Sequence, residues 1–226
     1  MLIRLFETPH IDNMKVLRAL IYSKDDQLPL YDGTSKKRVS LDVLRRKNVL
    51  LLISDLDLSH EELSILDQMY QESRQHPTRA ESQYEVVWLP VVDRSTPWTE
   101  QRQQQFEALQ SMMPWYSVCH PSLLDPAVIR YTKEVWHFNK KPLLVVLDPQ
   151  GRVANPNALH MMWIWGSMAF PFTTAKEEAL WRDETWRIEL LADAVDPMIF
   201  QWVWQSSLFS SQIPYDYLTQ LFKVVR

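Results

Sequence analysis

Short apolar runs alternate with amphipathic stretches along this chain. The most continuous apolar runs are VLLLIS at 49–54, YEVVWLPVVD at 84–93 and KPLLVVL at 141–147. Between them, apolar residues recur every three or four positions, a spacing that predicts helices over 59–76, 99–112 and 121–138. Apolar strands that alternate with helices are typical of a parallel or mixed sheet covered on both faces. The pattern therefore predicts an α/β fold.

Weaker signals place further elements around this framework. Residues 11–23 predict a short helix, and the turn-rich stretch after them predicts a connection with a brief strand near 39–41. PWYSVCH at 114–120 reads as a short strand, and the DPQG motif at 148–151 predicts a type I turn between two strands. Two more helices are expected over 157–166 and 174–193, the second with an apolar stripe made by Leu180, Trp181, Ile188 and Leu191.

The helix predicted after the first long strand has a clear start signal. Ser59 and Glu62 form the S-x-x-E pattern of a capping box, in which each side chain accepts a hydrogen bond from the other residue's backbone N–H. The apolar positions that follow predict one inward face, formed by Leu63, Leu66, Met69 and Tyr70.

Composition and charge exclude several classes of function. The 226 residues suffice for one domain with a sizeable core, and the net charge of −4 provides no basic surface for nucleic acid. No apolar run reaches the roughly 18 residues of a membrane span, and the first residues lack the apolar core of a signal peptide. Cys119 is the single cysteine, which excludes an internal disulfide and favours a reducing, cytoplasmic compartment.

Two carboxylates at the end of the first long strand are candidates for chemistry. Asp55 and Asp57, in LLISDLDLS, match the first motif of haloacid-dehalogenase-type phosphotransferases, where Asp55 would attack phosphorus and Asp57 would act as acid and base. That chemistry also needs a downstream lysine and a second acidic pair, and the D-P-Q-G turn offers one aspartate. An EF-hand is excluded, because its glycine and glutamate positions hold His60 and Leu66. The simpler interpretation is that Asp57 or Ser59 caps the helix.

The remaining candidates favour structural roles. Cys119 and His120 are adjacent, but consecutive side chains of a strand point to opposite faces, so we expect no catalytic dyad. His76, His137 and His160 lack the spacing of metal ligands. The segment HMMWIWGSMAFPF at 160–172 is apolar on more than one helical face, which favours a core helix, then a protein interface, over a ligand pocket.

Several motifs together resemble the tryparedoxin and nucleoredoxin branch of the thioredoxin fold. They are SLDVLRRKNVLLLIS, YEVVWLPVVD, MPWYSV and KPLLVVLDPQGRV. The resemblance implies a thioredoxin-like central sheet with helices on both faces, and a cis proline at Pro142 near the helix head. It also places the two redox cysteines near Leu58 and Glu61, where this chain has no thiol. Thiol–disulfide exchange needs an attacking thiolate, so the resemblance predicts a redox-inactive site.

Longer motifs are similar to the sieve element occlusion family of phloem P-proteins, including forisome subunits. They are RRKNVLLLISDLDLSHEELSILDQMYQESR, HPSLLDPAVIRY, NPNALHMMWIWGSMAFPFT and EEALWRDETWRIELL. The resemblance implies a cytoplasmic structural protein of plant sieve elements, without enzymatic activity, cofactor or metal, which assembles with itself or related chains into filaments or bodies that block flow after wounding. It suggests an assembly surface in Trp163–Phe172 and in the helix with Trp181 and Trp186.

The same resemblance suggests how the chain is organised. We expect residues 1–35 to be the end of an upstream helical segment and its linker, residues 36–204 to form the thioredoxin-like domain, and residues 205–226 to be a divergent tail. The family's helical N-terminal domain and its cysteine-bearing C-terminal end have no counterpart in these 226 residues. We therefore expect the chain to assemble weakly alone, or only with full-length relatives.

Overall fold

A computed structural model describes residues 2–21, 28–75, 84–93 and 95–183. The helices in these ranges are α1 Leu2–Glu7, α2 Met14–Leu20, α3 His60–Gln75, α4 Glu100–Met112, α5 Pro126–Glu134, α6 Leu159–Trp165 and α7 Thr174–Asp183. The strands are β1 Leu30–Asp32, β2 Lys37–Val39, β3 Asn48–Ser54, β4 Tyr84–Pro90, β5 Tyr116–Val118, β6 Leu143–Leu147 and β7 Val153–Asn155. Among the described residues, no helix is both long enough and apolar enough to cross a membrane.

The strands form one mixed sheet in the order β2-β1-β5-β4-β3-β6-β7. β3 lies between the parallel strand β4 and the antiparallel strand β6, with Leu51 opposite both Val87 and Val145. The dehalogenase-type motif at Asp55 and Asp57 would imply a doubly wound sheet with parallel central strands. Strand β6 is antiparallel to β3, so that alternative fold is wrong. The α/β fold predicted from the apolar pattern is confirmed.

Helices cover both faces of this sheet. One face of β3, β4 and β6 packs against α2 and α5 in a single apolar cluster that includes Leu17, Leu20 and Val128. On the opposite face, the Trp88 ring of β4 stacks on Phe106 of α4, with ring centroids 5.3 Å apart. The two strands of the centre are buried on both sides, which explains why their sequences are almost entirely apolar, with Glu85 as the charged exception.

The chain before residue 36 contributes to the sheet and its core. β1, which was expected to be part of a connection, pairs with β2 on one side and β5 on the other. The structure divides the chain into two compact units, Met1–Glu177 and Glu178–Arg226. Of the second unit, residues 178–183 are described, and the tail at 205–226 lies outside the described residues.

Pro142 directly precedes β6, but its peptide bond is trans. Within the described residues the cis peptide bond is Phe170–Pro171, so the prediction of a cis Pro142 is wrong. The sequence does not fix this isomer, because cis and trans X–Pro bonds differ by only about 0.5–1 kcal/mol and tertiary contacts decide between them. The predicted location is confirmed: Leu143 lies opposite Ile53, which places Pro142 at the end of the sheet where β3 leads to α3.

Candidate functional site

The turn after β3 uses its first carboxylate to hold its own backbone. The Asp55 Oδ1 atom accepts a hydrogen bond of 2.7 Å from the backbone N–H of Asp57, and the Ser54 hydroxyl donates to the Asp55 carbonyl at 2.8 Å. Asp57 itself is exposed at the surface. Asp55 therefore stabilises the turn that follows β3, while the Asp57 carboxylate is accessible to solvent or to a ligand.

The helix that follows begins with the predicted capping box. The Ser59 hydroxyl accepts from the Glu62 N–H at 3.2 Å, and the Glu62 carboxylate accepts from the Ser59 N–H at 3.3 Å. Ser59 rather than Asp57 is the cap. The two positions to which the resemblance assigns redox cysteines, Leu58 and Glu61, flank this start of α3 and carry no sulfur.

We expect Ser59→Ala to lower the free energy of unfolding by about 1 kcal/mol, because it removes the acceptor for the Glu62 N–H at the start of α3. The measurement is urea denaturation followed by tryptophan fluorescence. Ser64→Ala, at an exposed position in the same helix, is the matched control and should change stability by less than about 0.5 kcal/mol. Equal effects of the two substitutions would contradict the capping role.

A cleft of about 630 Å³ opens beside this turn, at the ends of β3 and β4. We call it the mixed-charge cleft. Its charged lining residues come from the turn after β3, the end of β4, α4, α5 and the loop before β6: Asp55, Asp57, Asp93, Arg102, Lys133 and Lys140. The sequence analysis identified the two aspartates of the turn and missed the other four residues, which are up to 85 positions away in the chain and carry no shared motif.

Asp93 is a second carboxylate of this lining that holds its own turn. The Ser95 N–H donates to its Oδ1 atom at 2.9 Å. This hydrogen bond and that of the Ser95 hydroxyl lower the pKa of Asp93, and the positive charges of Lys133 and Arg102 lower it further. Among the described residues, no three His, Cys, Asp or Glu side chains are grouped to hold a metal ion.

Buried contacts fix the floor of the cleft. The Trp88 indole N–H donates to the Ser54 hydroxyl at 2.8 Å, which is the same hydroxyl that holds the Asp55 carbonyl. From α4, the Gln105 amide donates to the Leu56 carbonyl at 2.8 Å. The turn is therefore tied to β4 and to α4, and its carboxylates are presented on a supported backbone.

Cys119 and His120 have separate partners. The Cys119 thiol points to the Leu28 carbonyl at 3.4 Å, and burial raises the pKa of this thiol. His120 Nδ1 accepts from the Ser122 N–H at 3.1 Å, and burial lowers the pKa of the imidazole. His120 caps the short 3₁₀ turn at 121–123, and its ring nitrogen is not directed at the thiol.

The other histidines differ in their surroundings. His160 Nε2 lies 2.7 Å from the Glu177 carboxylate, which also accepts from the Asn155 amide at 3.1 Å. This contact links α6, β7 and the start of α7. His137 is exposed, and His76 lies outside the described residues.

The aromatic segment at 160–172 is divided between core and surface. Met161, Met162 and Phe172 are at most 1 % exposed, whereas Trp163 and Met168 are 45 % and 75 % exposed. Trp181 is half-buried in α7, and Trp186, Ile188 and Leu191 lie outside the described residues. The exposed part of the predicted assembly surface is therefore Trp163 with Met168.

Comparison with known proteins identifies what these features resemble. Residues 175–210 match the family model for the sieve element occlusion C-terminus. Over 205 residues the chain is 51 % identical to protein SIEVE ELEMENT OCCLUSION B of Arabidopsis thaliana, which covers 88 % of this chain and 28 % of that protein. Protein SIEVE ELEMENT OCCLUSION A of the same plant is 46 % identical over 165 residues, covering 73 % of this chain and 19 % of that protein. The chain is a relative of the sieve element occlusion proteins.

The predicted resemblance to this family is thus confirmed, and the chain spans 28 % and 19 % of the lengths of the two relatives. Among solved structures, tryparedoxin II from C. fasciculata matches with a TM-score of 0.52 and 16 % identity, over 73 % of this chain and 98 % of that chain. This likeness shows the fold. This chain therefore has the thioredoxin-like sheet that its motifs predicted.

Proposed function

We propose that this chain is a non-enzymatic structural protein of phloem sieve elements, of the sieve element occlusion type. The observation that carries the proposal is the start of α3: the fold is thioredoxin-like, but the helix head holds Leu58 and Glu61 and is closed by the Ser59–Glu62 capping box. A fold that has kept its sheet while its redox positions carry no thiols is expected to act through its surface. The names of the two similar Arabidopsis proteins support the assignment to sieve elements.

Phosphatase activity is the enzymatic alternative, and the surroundings of Asp55 argue against it. That chemistry needs further acidic groups that hold magnesium together with Asp55, and among the described residues no three His, Cys, Asp or Glu side chains are grouped to hold a metal ion. We expect no hydrolysis of p-nitrophenyl phosphate or acetyl phosphate with magnesium present. Magnesium-dependent turnover that Asp55→Asn abolishes and Asp67→Asn leaves intact would contradict the proposal.

Assembly into filaments or bodies that plug sieve elements after wounding is the second part of the proposal. A mechanical plug needs repeated contacts between copies rather than a catalytic site, and head-to-tail contacts that do not close produce fibres. Trp163 and Met168 are the exposed apolar residues of the segment, and a buried aromatic anchor at an interface contributes about 2 kcal/mol or more. We assign the contact to these two side chains.

Co-expression with a full-length sieve element occlusion protein tests this contact. We expect Trp163→Ala combined with Met168→Ala to reduce incorporation of the chain into filaments at least about tenfold, measured by electron microscopy and sedimentation. Met112→Ala is the matched control, since Met112 is 44 % exposed at the end of α4, and should incorporate normally. Unchanged incorporation of the double variant would contradict the interface and leave the fold assignment intact.

A further inference from the structure

The mixed-charge cleft has the position and size of a ligand site. It lies beyond the carboxyl ends of the neighbouring parallel strands β3 and β4, where open α/β sheets commonly bind their ligands. Its volume of about 630 Å³ falls within the range of small-molecule and short-peptide pockets. Five separate segments converge on it, represented by Asp57, Asp93, Arg102, Lys133 and Lys140.

Charges of both signs line the cleft and act on each other only through space, as Lys133 and Arg102 do on Asp93. Within the part of the chain that the structure describes, the side chains of Asp57, Lys133 and Lys140 form no hydrogen bond and no ion pair. Charges elsewhere on the molecule do pair: Arg45 binds Asp12 at 2.9 Å. The unpaired groups of the cleft therefore retain their capacity for a charged partner.

The wall between these charges is apolar. Leu56, Val91 and Phe138 are 7 %, 4 % and 6 % exposed and belong to the lining. Phe138 is held by a backbone hydrogen bond of 3.0 Å from its N–H to the Thr132 carbonyl. A ligand that fits all of this lining needs a basic group, an acidic group and an aliphatic part between them.

We propose that the mixed-charge cleft binds a short peptide segment of dipolar character, with a basic side chain at Asp57 and an acidic side chain at Lys133 and Lys140. A simple cation or a simple anion would engage only one half of the lining and would be repelled by the other half. A free amino acid carries both charges but is too small to span a cleft of about 630 Å³. This inference is independent of the assembly surface at Trp163 and Met168.

Titration calorimetry of the 226-residue chain with four probes tests the proposal. The first is an acetylated and amidated hexapeptide of two lysines, two leucines and two glutamates in that order. The second and third replace the glutamates by lysines or the lysines by glutamates, and the fourth is free leucine. We expect the dipolar peptide to bind at least about tenfold more tightly than each of the others, and to weaken as salt is raised.

Variants locate the binding. Asp57→Asn and Lys133→Gln should each weaken the dipolar peptide about fivefold, which is the loss of one partly exposed ion pair. Asp67→Asn and Lys37→Gln, which remove the same charges outside the cleft, should leave its affinity unchanged, and Lys140→Gln serves as a second cleft variant if Lys133→Gln changes the thermal midpoint. Equal binding of the anionic peptide, equal binding of leucine, or no binding of any probe would overturn the proposal.

Discussion

Replacing Arg74 with methionine is expected to lower the free energy of unfolding by about 3 kcal/mol. Arg74 Nη2 lies 2.6 Å from a carboxylate oxygen of Glu85, which is a β4 residue only 4 % exposed. The same nitrogen donates to the Tyr70 hydroxyl at 2.9 Å and to the Tyr84 carbonyl at 3.1 Å. Without the guanidinium, the buried carboxylate keeps Lys47 at 2.8 Å and the Tyr70 hydroxyl at 3.4 Å, and its desolvation is no longer fully offset.

A double variant separates this electrostatic effect from loss of packing. Arg74→Met together with Glu85→Leu removes the buried charge as well as its partner, and should regain most of the lost stability. The measurement is equilibrium urea unfolding of the single and double variants. A loss of under about 1 kcal/mol for Arg74→Met, or no recovery in the double variant, would contradict the role given to this network.

Replacing Trp88 with alanine is expected to cost about 3–5 kcal/mol. Trp88 is fully buried, its ring stacks on Phe106, and its N–H binds the Ser54 hydroxyl beneath the turn. Trp88→Phe is the matched control, because it keeps an aromatic ring against Phe106 and removes the hydrogen bond, for a cost of about 1 kcal/mol. The same unfolding experiment measures both, and an alanine variant as stable as the phenylalanine variant would show that the stacking is unimportant.

The elements predicted correctly from sequence are those long enough to show the apolar run of a buried strand or the three-to-four-residue repeat of a helix. β3 and β4 are mostly apolar because both faces are covered. The inward face of α3 was predicted because Leu63, Leu66 and Met69 repeat at helical spacing. β1 was missed because three residues cannot display a period, and its partners Val39 and Val118 lie far apart in the chain. Its existence depends on pairing, which a local pattern does not reveal.

In the candidate site too, interactions between neighbouring residues were predicted and interactions between distant residues were not. The capping box and the carboxylate turn were predicted because Asp55, Ser59 and Glu62 act on neighbouring backbone. The cations of the mixed-charge cleft could not be predicted, because Lys133 and Lys140 reach it only after α5 and β6 have packed. Glu85 likewise looks like a misplaced charge in an apolar strand until the fold brings Arg74 and Lys47 to it.

Restoring thiols at the head of α3 tests most directly whether this is a thioredoxin-like site without redox chemistry. The variant is Leu58→Cys with Glu61→Cys, whose spacing of three residues brings the two sulfur atoms within reach of each other at a helix start. A helix N-terminus also lowers the pKa of a thiol and favours the reactive thiolate. Ser64→Cys with Asp67→Cys has the same spacing inside the helix and serves as the control.

The measurement is insulin reduction in dithiothreitol, with a count of free thiols after mild oxidation. We predict that the natural chain, whose single thiol is Cys119, does not accelerate insulin reduction. The Leu58→Cys and Glu61→Cys variant should close a disulfide, leave Cys119 as its free thiol, and accelerate reduction well above the control variant. Insulin reduction by the natural chain, or two introduced thiols that stay free and inactive, would contradict the account.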